Sequence, residues 1–545
     1  MTDLLNVEAA ASLAVYGAAA VHGANEARDR LTADGVPGLL AAKDPALWGT
    51  EAEPEAKSRL GWIDTFKHSR KLLPQLAEVR AELAAAGLDH VVLAGMGGSS
   101  LAPEVIARTL DIELTVLDTT DPHQVGLALG DRIERTVVVI ASKSGSTVET
   151  DSHRRAYAQA FADAGIADSE IGRHFVVVTD PGSPLEATAR EMGATVFLAD
   201  PEVGGRFSAL TAFGLVPTAL AGVDVAELLD QAAEVAASLA HAADNPSLAL
   251  GCALGAAATS GRDKLAIVSD GTGIVGLGDW IEQLVAESTG KEGRGILPVV
   301  VESPDSPGLT GEDVLSVTIG GALPPDSVPG GGIAPDIAVN GPLGAHFLAW
   351  EYATAIAGRL IGINPFDQPN VAESKENTGR ILAGGLPAEQ PSFVEGAVEV
   401  YGSTATTLVG AITDFLDEID DRGYLAVMAY LDRLTDARLD SLRSILAGRT
   451  ERSVTFGWGP RFLHSTGQYH KGGPQDGSFL QITGATQVDL PVPGRPYSFY
   501  QLESAQAGGD RQAIAGRARP LLRLHLTDRT TGIAQLLDAA RGLQA

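Results

Sequence analysis

One cysteine, Cys252, in 545 residues leaves no partner for a disulfide within the chain and no cysteine-based metal site. Its neighbours, Gly-Cys-Ala-Leu-Gly-Ala-Ala-Ala, are small and apolar, so it reads as a core thiol rather than a reactive one. Basic residues are scarce as well: 40 Lys and Arg stand against 69 Asp and Glu, a formal charge of −29. No basic stripe is present, which argues against nucleic acid as a partner. The same imbalance means that an anionic ligand must be held by local donors against a repelling global field. No run of about 18 apolar residues is free of charges and turn signals, so no membrane span is expected. The N-terminal stretch carries Asp3 and Glu8 and lacks the basic start of a secretory signal. A cytoplasmic, reducing location is the default reading.

What the chain does have is strand and helix in alternation. With 45% hydrophobic and 20% charged residues it describes a globular protein long enough for two to four domains. Strand signals fall at Val91–Ala94, Leu114–Leu117, Val137–Ala141, Phe175–Thr179 and Thr195–Leu198, with Ala-, Glu- and Arg-rich helical stretches such as 151–164 and 184–192 between them. That rhythm predicts an α/β fold with a parallel sheet and helices on both faces. Residues 1 to about 60 read as short helices broken by Gly and Pro, and 205–260 as largely helical. A second α/β unit begins at Lys264–Ser269 and continues with a strand at Ile296–Val301. The Pro-, Gly- and Asp-rich segment 303–342 reads as loop over much of its length, and Leu343–Ile361 as a long apolar helix. A polar region at 366–380 precedes helical stretches to about 415. Strand candidates return at Leu425–Tyr430, Ser453–Gly457, Phe479–Thr483 and Leu521–Leu526, and a final helix spans Thr531 to Leu543.

Two strand ends carry the first functional signal. In Val91–Leu101, VVLAGMGGSSL, and in Val137–Thr150, VVVIASKSGSTVET, an apolar run stops abruptly in small residues, glycines in one and hydroxyls in the other. Loops of this kind lead from a buried strand into a helix, where outward-pointing amides and the helix dipole favour an anion. Gly97 and Gly98 permit close backbone approach, and Ser99, Ser100, Ser142, Lys143, Ser144, Ser146 and Thr147 supply donors. Ordinary helix capping by Ser146 or Thr147, with Glu149 in the first turn, accounts for the second loop equally well.

Four further residues stand in suggestive settings. Arg206 lies beside two glycines in Gly204-Gly205-Arg206-Phe207-Ser208, where its rigid fork of donors can meet a developing anion, or it is a surface arginine in a turn. Glu287, four residues after Gln283, sits near a helix C-terminus whose dipole raises proton affinity. That suits a general base for a carbon acid, although a solvated glutamate is the commoner meaning. His464, in Leu463-His464-Ser465-Thr466-Gly467-Gln468, and Lys375, in Phe366-Asp367-Gln368-Pro369-Asn370-Val371-Ala372-Glu373-Ser374-Lys375, are unremarkable taken singly.

Taken together, GMGGSSLAP (95–103), SKSGSTVET (142–150), VGGRFS (203–208), AESTGKEGRGILP (286–298), FDQPNVAESK (366–375) and LHSTGQ (463–468) resemble the glucose-6-phosphate isomerase family. The resemblance implies two sugar-isomerase (SIS) domains, each a three-layer αβα sandwich on a parallel sheet, usually in a homodimer. It divides the chain into an N-terminal helical segment (1–60), a first SIS domain with the phosphate loops (61–230), a second SIS domain (231–400) and a C-terminal α/β segment completing the second (401–545). It implies aldose–ketose isomerisation of glucose 6-phosphate and fructose 6-phosphate through a cis-enediol, with no metal or other cofactor. In that reading Gly98, Ser99, Ser142, Lys143 (through its backbone), Ser144 and Thr147 hold the phosphate. Glu287 moves the proton, Arg206 stabilises the enediolate, His464 and Lys375 open the ring, and Gln283 and Gln368 neighbour the sugar.

The order Glu287, Lys375, His464 departs from the family's usual one and resembles the isomerase part of transaldolase–isomerase fusions. No barrel-length region for a transaldolase is present. Strand 453–457 is expected to enter the second domain's sheet and deliver His464 to the site, within one subunit or across an interface. An isomerase that also takes mannose 6-phosphate, and a non-catalytic sugar-phosphate-binding SIS regulator, are the alternatives.

Overall fold

A computed structural model of the chain describes residues 7–10, 12–324, 329, 334–386 and 389–543. The first residues of the N-terminal stretch and part of the 303–342 segment therefore lie outside the described residues. Among the described residues, seventeen strands form three sheets. Two short strands, β1 (Val7–Ala9) and β2 (Ala14–Tyr16), precede the five of the first sheet: β3 (His90–Gly95), β4 (Thr115–Leu117), β5 (Thr136–Ala141), β6 (Phe175–Thr179) and β7 (Thr195–Leu198). That sheet runs β4-β3-β5-β6-β7 with every pair parallel. β3 and β5 are buried along their whole length, as expected of β-branched runs covered on both faces. Strand order reverses between them, so the crevice at their carboxyl ends is the natural ligand position of such a sheet.

The second sheet, in the order β1-β2-β11-β10-β8-β9, contains β8 (Lys264–Ser269), β9 (Leu297–Val300), β10 (Val314–Gly320) and β11 (Ile337–Asn340). β11, β10, β8 and β9 are parallel, and β2 and β1 add an antiparallel margin. β1, β2, β10 and β11 depart from the expectation of helices near the N-terminus and loop across 303–342. β10 is seven buried residues, VLSVTIG, whose strand character was diluted by the Pro- and Gly-rich flanks.

The C-terminal segment does not extend the second sheet. β12 (Phe393–Glu395), β13 (Val398–Tyr401), β14 (Tyr424–Tyr430), β15 (Ser453–Trp458), β16 (Gly477–Gly484) and β17 (Leu521–Leu526) make a third sheet, ordered β12-β13-β17-β16-β14-β15. It has its own apolar core, built from Leu425, Val427, Leu480, Leu524 and the helices Leu408–Asp417, Leu442–Thr450 and Arg529–Arg541. The strand expected in the second sheet, β15, is therefore an edge of the third. The two sheets are joined by packing: Ala266, Val268, Leu297 and Val299 meet Tyr424, Ala426, Met428 and Phe479 in one cluster. The polar 366–380 region is mostly helix, Val371–Gly384, and the stretch read as helical after it opens with the β12–β13 hairpin. Among the described residues no helix is long and apolar enough to cross a membrane.

One core residue conflicts with its surroundings. Glu351, on the helix Leu343–Ile361, is 0% exposed, and neither carboxyl oxygen has a hydrogen-bond partner among the described residues. Burial pushes its carboxyl well above the usual range. It is protonated in the folded chain and ionised once unfolded at neutral pH, so it lowers stability progressively as pH rises above the ordinary glutamate value. Replacing it with leucine is expected to stabilise the chain at pH 7.5 by about 1–3 kcal/mol, the cost of an unsatisfied buried polar group. The gain should shrink toward pH 4.5. Thermal unfolding at the two pH values checks this, and a leucine variant less stable at both would contradict it.

Candidate active site

The two loops after β3 and β5 stand side by side. Ser142 Oγ and Thr147 Oγ1 are 2.9 Å apart, and Ser144 Oγ and Ser146 Oγ 3.0 Å. Thr147 occupies the N-cap of the helix Val148–Asp163 without a side-chain capping bond, so the capping alternative is not what its hydroxyl does. The ammonium of Lys143 is committed elsewhere, to Asp180 at 2.6 Å. Ser144 and Ser146 are exposed at the mouth of a cleft of about 880 Å³.

The glycine loop is a contact surface. A Cβ on Gly97, whose φ is +56°, would stand 2.7 Å from the His464 carbonyl oxygen and 2.8 Å from Gln283 Nε2. A Cβ on Gly98 would stand 1.9 Å from the Gly205 carbonyl oxygen. No side chain fits at either position, so the turns carrying His464 and Arg206 both rest on bare backbone. Ser208 Oγ donates to the Gly98 carbonyl at 3.2 Å and fixes the second contact.

Glu287 lies behind this loop on the helix Leu277–Thr289, 4% exposed. Its Oε2 accepts from Gln368 Nε2 at 3.2 Å and Gln283 Nε2 at 3.4 Å, and Arg206 Nη1 stands 3.6 Å away. Burial raises the Glu287 carboxyl above its ordinary value, and the Arg206 charge opposes that rise. Arg206, 2% exposed, is held by Nε donating to Ser288 Oγ at 2.8 Å and by Nη2 donating to the Pro365 and Asp367 carbonyls. Its guanidinium orientation is thus fixed by groups other than Glu287. Lys291 donates to the Asn364 and Asp367 carbonyls at 2.7 and 2.8 Å and to the Asp367 carboxylate at 2.6 Å. Burial and the Arg206 charge lower its pKa to about 8.

His464 sits in the single turn Arg461–His464 that follows β15, in the same chain as the loops it meets. Its Nε2 is 3.0 Å from Glu149 Oε1, and Gln506 Nε2 donates to that same oxygen at 2.6 Å. Burial opposes ionisation of Glu149, but His464 and the nearby Lys375 hold its carboxyl below the usual range. Gln283 donates to the His464 carbonyl at 2.9 Å and so ties this group to Glu287. Lys375, exposed on the helix Val371–Gly384, lines the cleft with His464, Glu149 and Gln506. Glu149, Gln506 and Lys291 escaped the sequence reading. Glu149 was legible only as a first-turn acid, and Gln506 lies 357 residues from it.

Among the described residues there is one acidic-histidine group that the sequence did not reveal: Asp121, His123 and Asp432 place ligand atoms within 4.8 Å of one another. His123 and Asp432 are 309 residues apart in the chain. Asp121 is already engaged by Arg529 and two backbone amides, and Asp432 by Thr435, so the group is an ion-paired seam away from the cleft.

A family model described as phosphoglucose isomerase matches residues 75–296, which include both loops, Arg206, Gln283 and Glu287 but not Gln368, Lys375 or His464. A glucose-6-phosphate isomerase of Rubrobacter xylanophilus is 30% identical over 379 residues, 57% of this chain and 86% of the relative. A probable glucose-6-phosphate isomerase of Haloarcula marismortui is 35% identical over 222 residues, and the match spans 39% of this chain but only about half, 49%, of that relative. Among solved structures, a hypothetical protein from Thermus thermophilus superposes with a TM-score of 0.53 at 26% identity, covering 66% of this chain and 95% of that one. A glucose-6-phosphate isomerase from Chlamydia trachomatis gives 0.56 at 20% identity, 69% of this chain and 90% of its own, a likeness of fold.

The Arg206–Glu287 pair makes a prediction independent of any activity. Arg206→Gln removes the charge that restrains Glu287, so the Glu287 carboxyl should titrate at higher pH than in the parent protein. Carbon-13 NMR of labelled glutamate reads this directly, and an unchanged or lower titration would contradict it.

Proposed function

The chain belongs to the phosphoglucose isomerase family, and we propose that it is an aldose–ketose isomerase interconverting glucose 6-phosphate and fructose 6-phosphate. The observation that carries the reading is a buried carboxylate, Glu287, addressed by two glutamine amides and facing a fixed guanidinium. A C–H beside a carbonyl is a very weak acid, so a base alone does not suffice. Charge must also be stabilised where it develops, in a site shielded from water.

The hydroxyl loop, Gly98 and Ser99 grip the phosphate, with the N-terminus of the helix Val148–Asp163 behind them. They act locally, because the net charge of the chain repels the substrate. His464 and Lys375 open the ring: Glu149 holds the imidazole by Nε2, which leaves Nδ1 to exchange a proton with the sugar. Glu287 then takes the proton from C2 of the aldose and returns it to C1. Arg206 stabilises the cis-enediolate between these steps, and Gln283 and Gln368 orient both the base and the sugar. A raised Glu287 pKa suits this role, since a base works best when its pKa approaches the operating pH. The enzyme works in the cytoplasm, with which its single buried thiol, Cys252, is in keeping, and two 56.3 kDa chains pair as a homodimer, as the family resemblance implies.

Glu287→Gln should lower isomerisation of fructose 6-phosphate by at least about 10³-fold, within the range of lost acid–base catalysis, while leaving sugar-phosphate affinity near the parent value. In the parent, kcat/KM should fall as pH drops through the raised Glu287 pKa, because only the ionised carboxylate is active. A coupled assay, with mannose 6-phosphate run alongside, decides both the reaction and the breadth of substrate. Near-normal turnover by the glutamine variant would overturn the mechanism.

A further inference from the structure

A second crevice, of about 720 Å³, opens between the helix Phe499–Ala515 and the carboxyl-terminal halves of β16 and β17. In the third sheet strand order reverses between β14 and β16, and the crevice lies beside that switch point, with Tyr430 at the end of β14 on its wall. Its lining mixes apolar surface with several charged and polar side chains. On β17, Leu522, Leu524 and Leu526 alternate into the sheet's own core, while Arg523 and His525 face the covering helix side. On β16, Gln481 and Thr483 do the same beside core residues Leu480 and Ile482.

Two arginines converge there. Arg511 of the helix and Arg523 of β17 are bridged by one carboxylate, Glu389, with Arg511 Nη1 donating to Oε1 at 2.6 Å and Arg523 Nη1 donating to Oε2 at 2.6 Å. The Arg523 guanidinium is set in place by stacking 3.9 Å from the Tyr401 ring centre. The bridge is incomplete: Arg511 Nε is buried without a partner among the described residues. Deeper in the crevice, the Tyr430 hydroxyl and Glu503 Oε1 are likewise unpartnered, in residues 1% and 3% exposed. Burial and neighbouring carboxylates drive Glu503 well above the usual range, so it is a neutral donor as well as an acceptor. Two guanidinium groups thus share one carboxylate here, with Glu503 and Glu399 the other acidic groups nearby.

We infer that this crevice is a second ligand site, for a small organic phosphate with hydroxyl groups on its tail. Glu389 occupies the place of the phosphate. A carboxylate offers two oxygens to the paired forks, whereas a phosphate offers three and can also satisfy Arg511 Nε. Tyr430 and Glu503 then receive the hydroxyls. The site is distinct from the cleft of His464 but shares a helix with it, since Gln506, adjacent to the crevice-lining Ala507, holds Glu149. A ligand here is therefore placed to alter the support of His464, a consequence that rests on the isomerase reading, whereas binding itself does not.

Equilibrium dialysis of the full chain with radiolabelled inorganic phosphate, the head group of the proposed ligand, tests the site. One phosphate per chain is expected at the crevice, and a second where the cleft binds as proposed. Glu389→Gln frees both arginines and should tighten the crevice phosphate by about tenfold, and Arg523→Gln should weaken it by at least about tenfold, as for hydrogen bonds to charged groups. Tighter binding cannot arise from a misfolded variant, so the Glu389 arm separates a ligand site from a structural ion pair. No bound phosphate, or bound phosphate whose affinity ignores both substitutions, would overturn the proposal. Should phosphate bind as expected while isomerase activity is absent, the crevice stands and the reading of the cleft falls.

Discussion

The site depends on backbone meeting backbone at Gly97 and Gly98. Two turns from distant parts of the chain, one bearing His464 and the other Arg206, come within a Cβ's reach of this loop. Only glycine allows both approaches, and the loop's place at the end of β3 fixes where they converge. Gln283 then binds the two halves, touching the His464 carbonyl and the Glu287 carboxylate with one amide group. Glu287 and His464 are thus located by main-chain packing and held in orientation by side-chain amides.

This arrangement explains how residues far apart in the chain reach one cleft. His464 arrives from the edge of a third sheet with its own core, yet it is seated by contacts with the first sheet's loops and the second sheet's helix. Gln506, on the helix Phe499–Ala515 packed on the third sheet, joins His464 on Glu149 and so ties the imidazole to the helix following the hydroxyl loop. The electrostatics are local throughout. In a chain of charge −29, Arg206 and Lys291 are buried among carbonyls and carboxylates, and the loop after β5 presents hydroxyls and a helix start while Asp180 occupies the Lys143 ammonium.

Much of this was legible in the residues. The abrupt change from β-branched runs to small residues marked both loops, because buried parallel strands and close backbone approach each leave a compositional trace. Glu287 and Gln283 were legible as one helix face. What could not be read was partnership across long separations: Glu149 looks like any first-turn acid until His464, 315 residues on, is placed against it. Membership of a sheet is equally non-local. β14 to β17 carry the same apolar signature whether they extend an existing sheet or start a new one, and β10 vanished into its Pro- and Gly-rich flanks.

The central claim is that Glu287 carries a proton between C1 and C2 through an enediolate. The most direct measurement is NMR of the products when fructose 6-phosphate is turned over in deuterium oxide. A carboxylate that holds the abstracted proton during each turnover must sometimes exchange it with solvent, so deuterium should accumulate at C2 of the glucose 6-phosphate formed. Complete turnover to an aldose with no deuterium at C2, even as the reaction is held at equilibrium, would point to direct hydride migration and contradict the account.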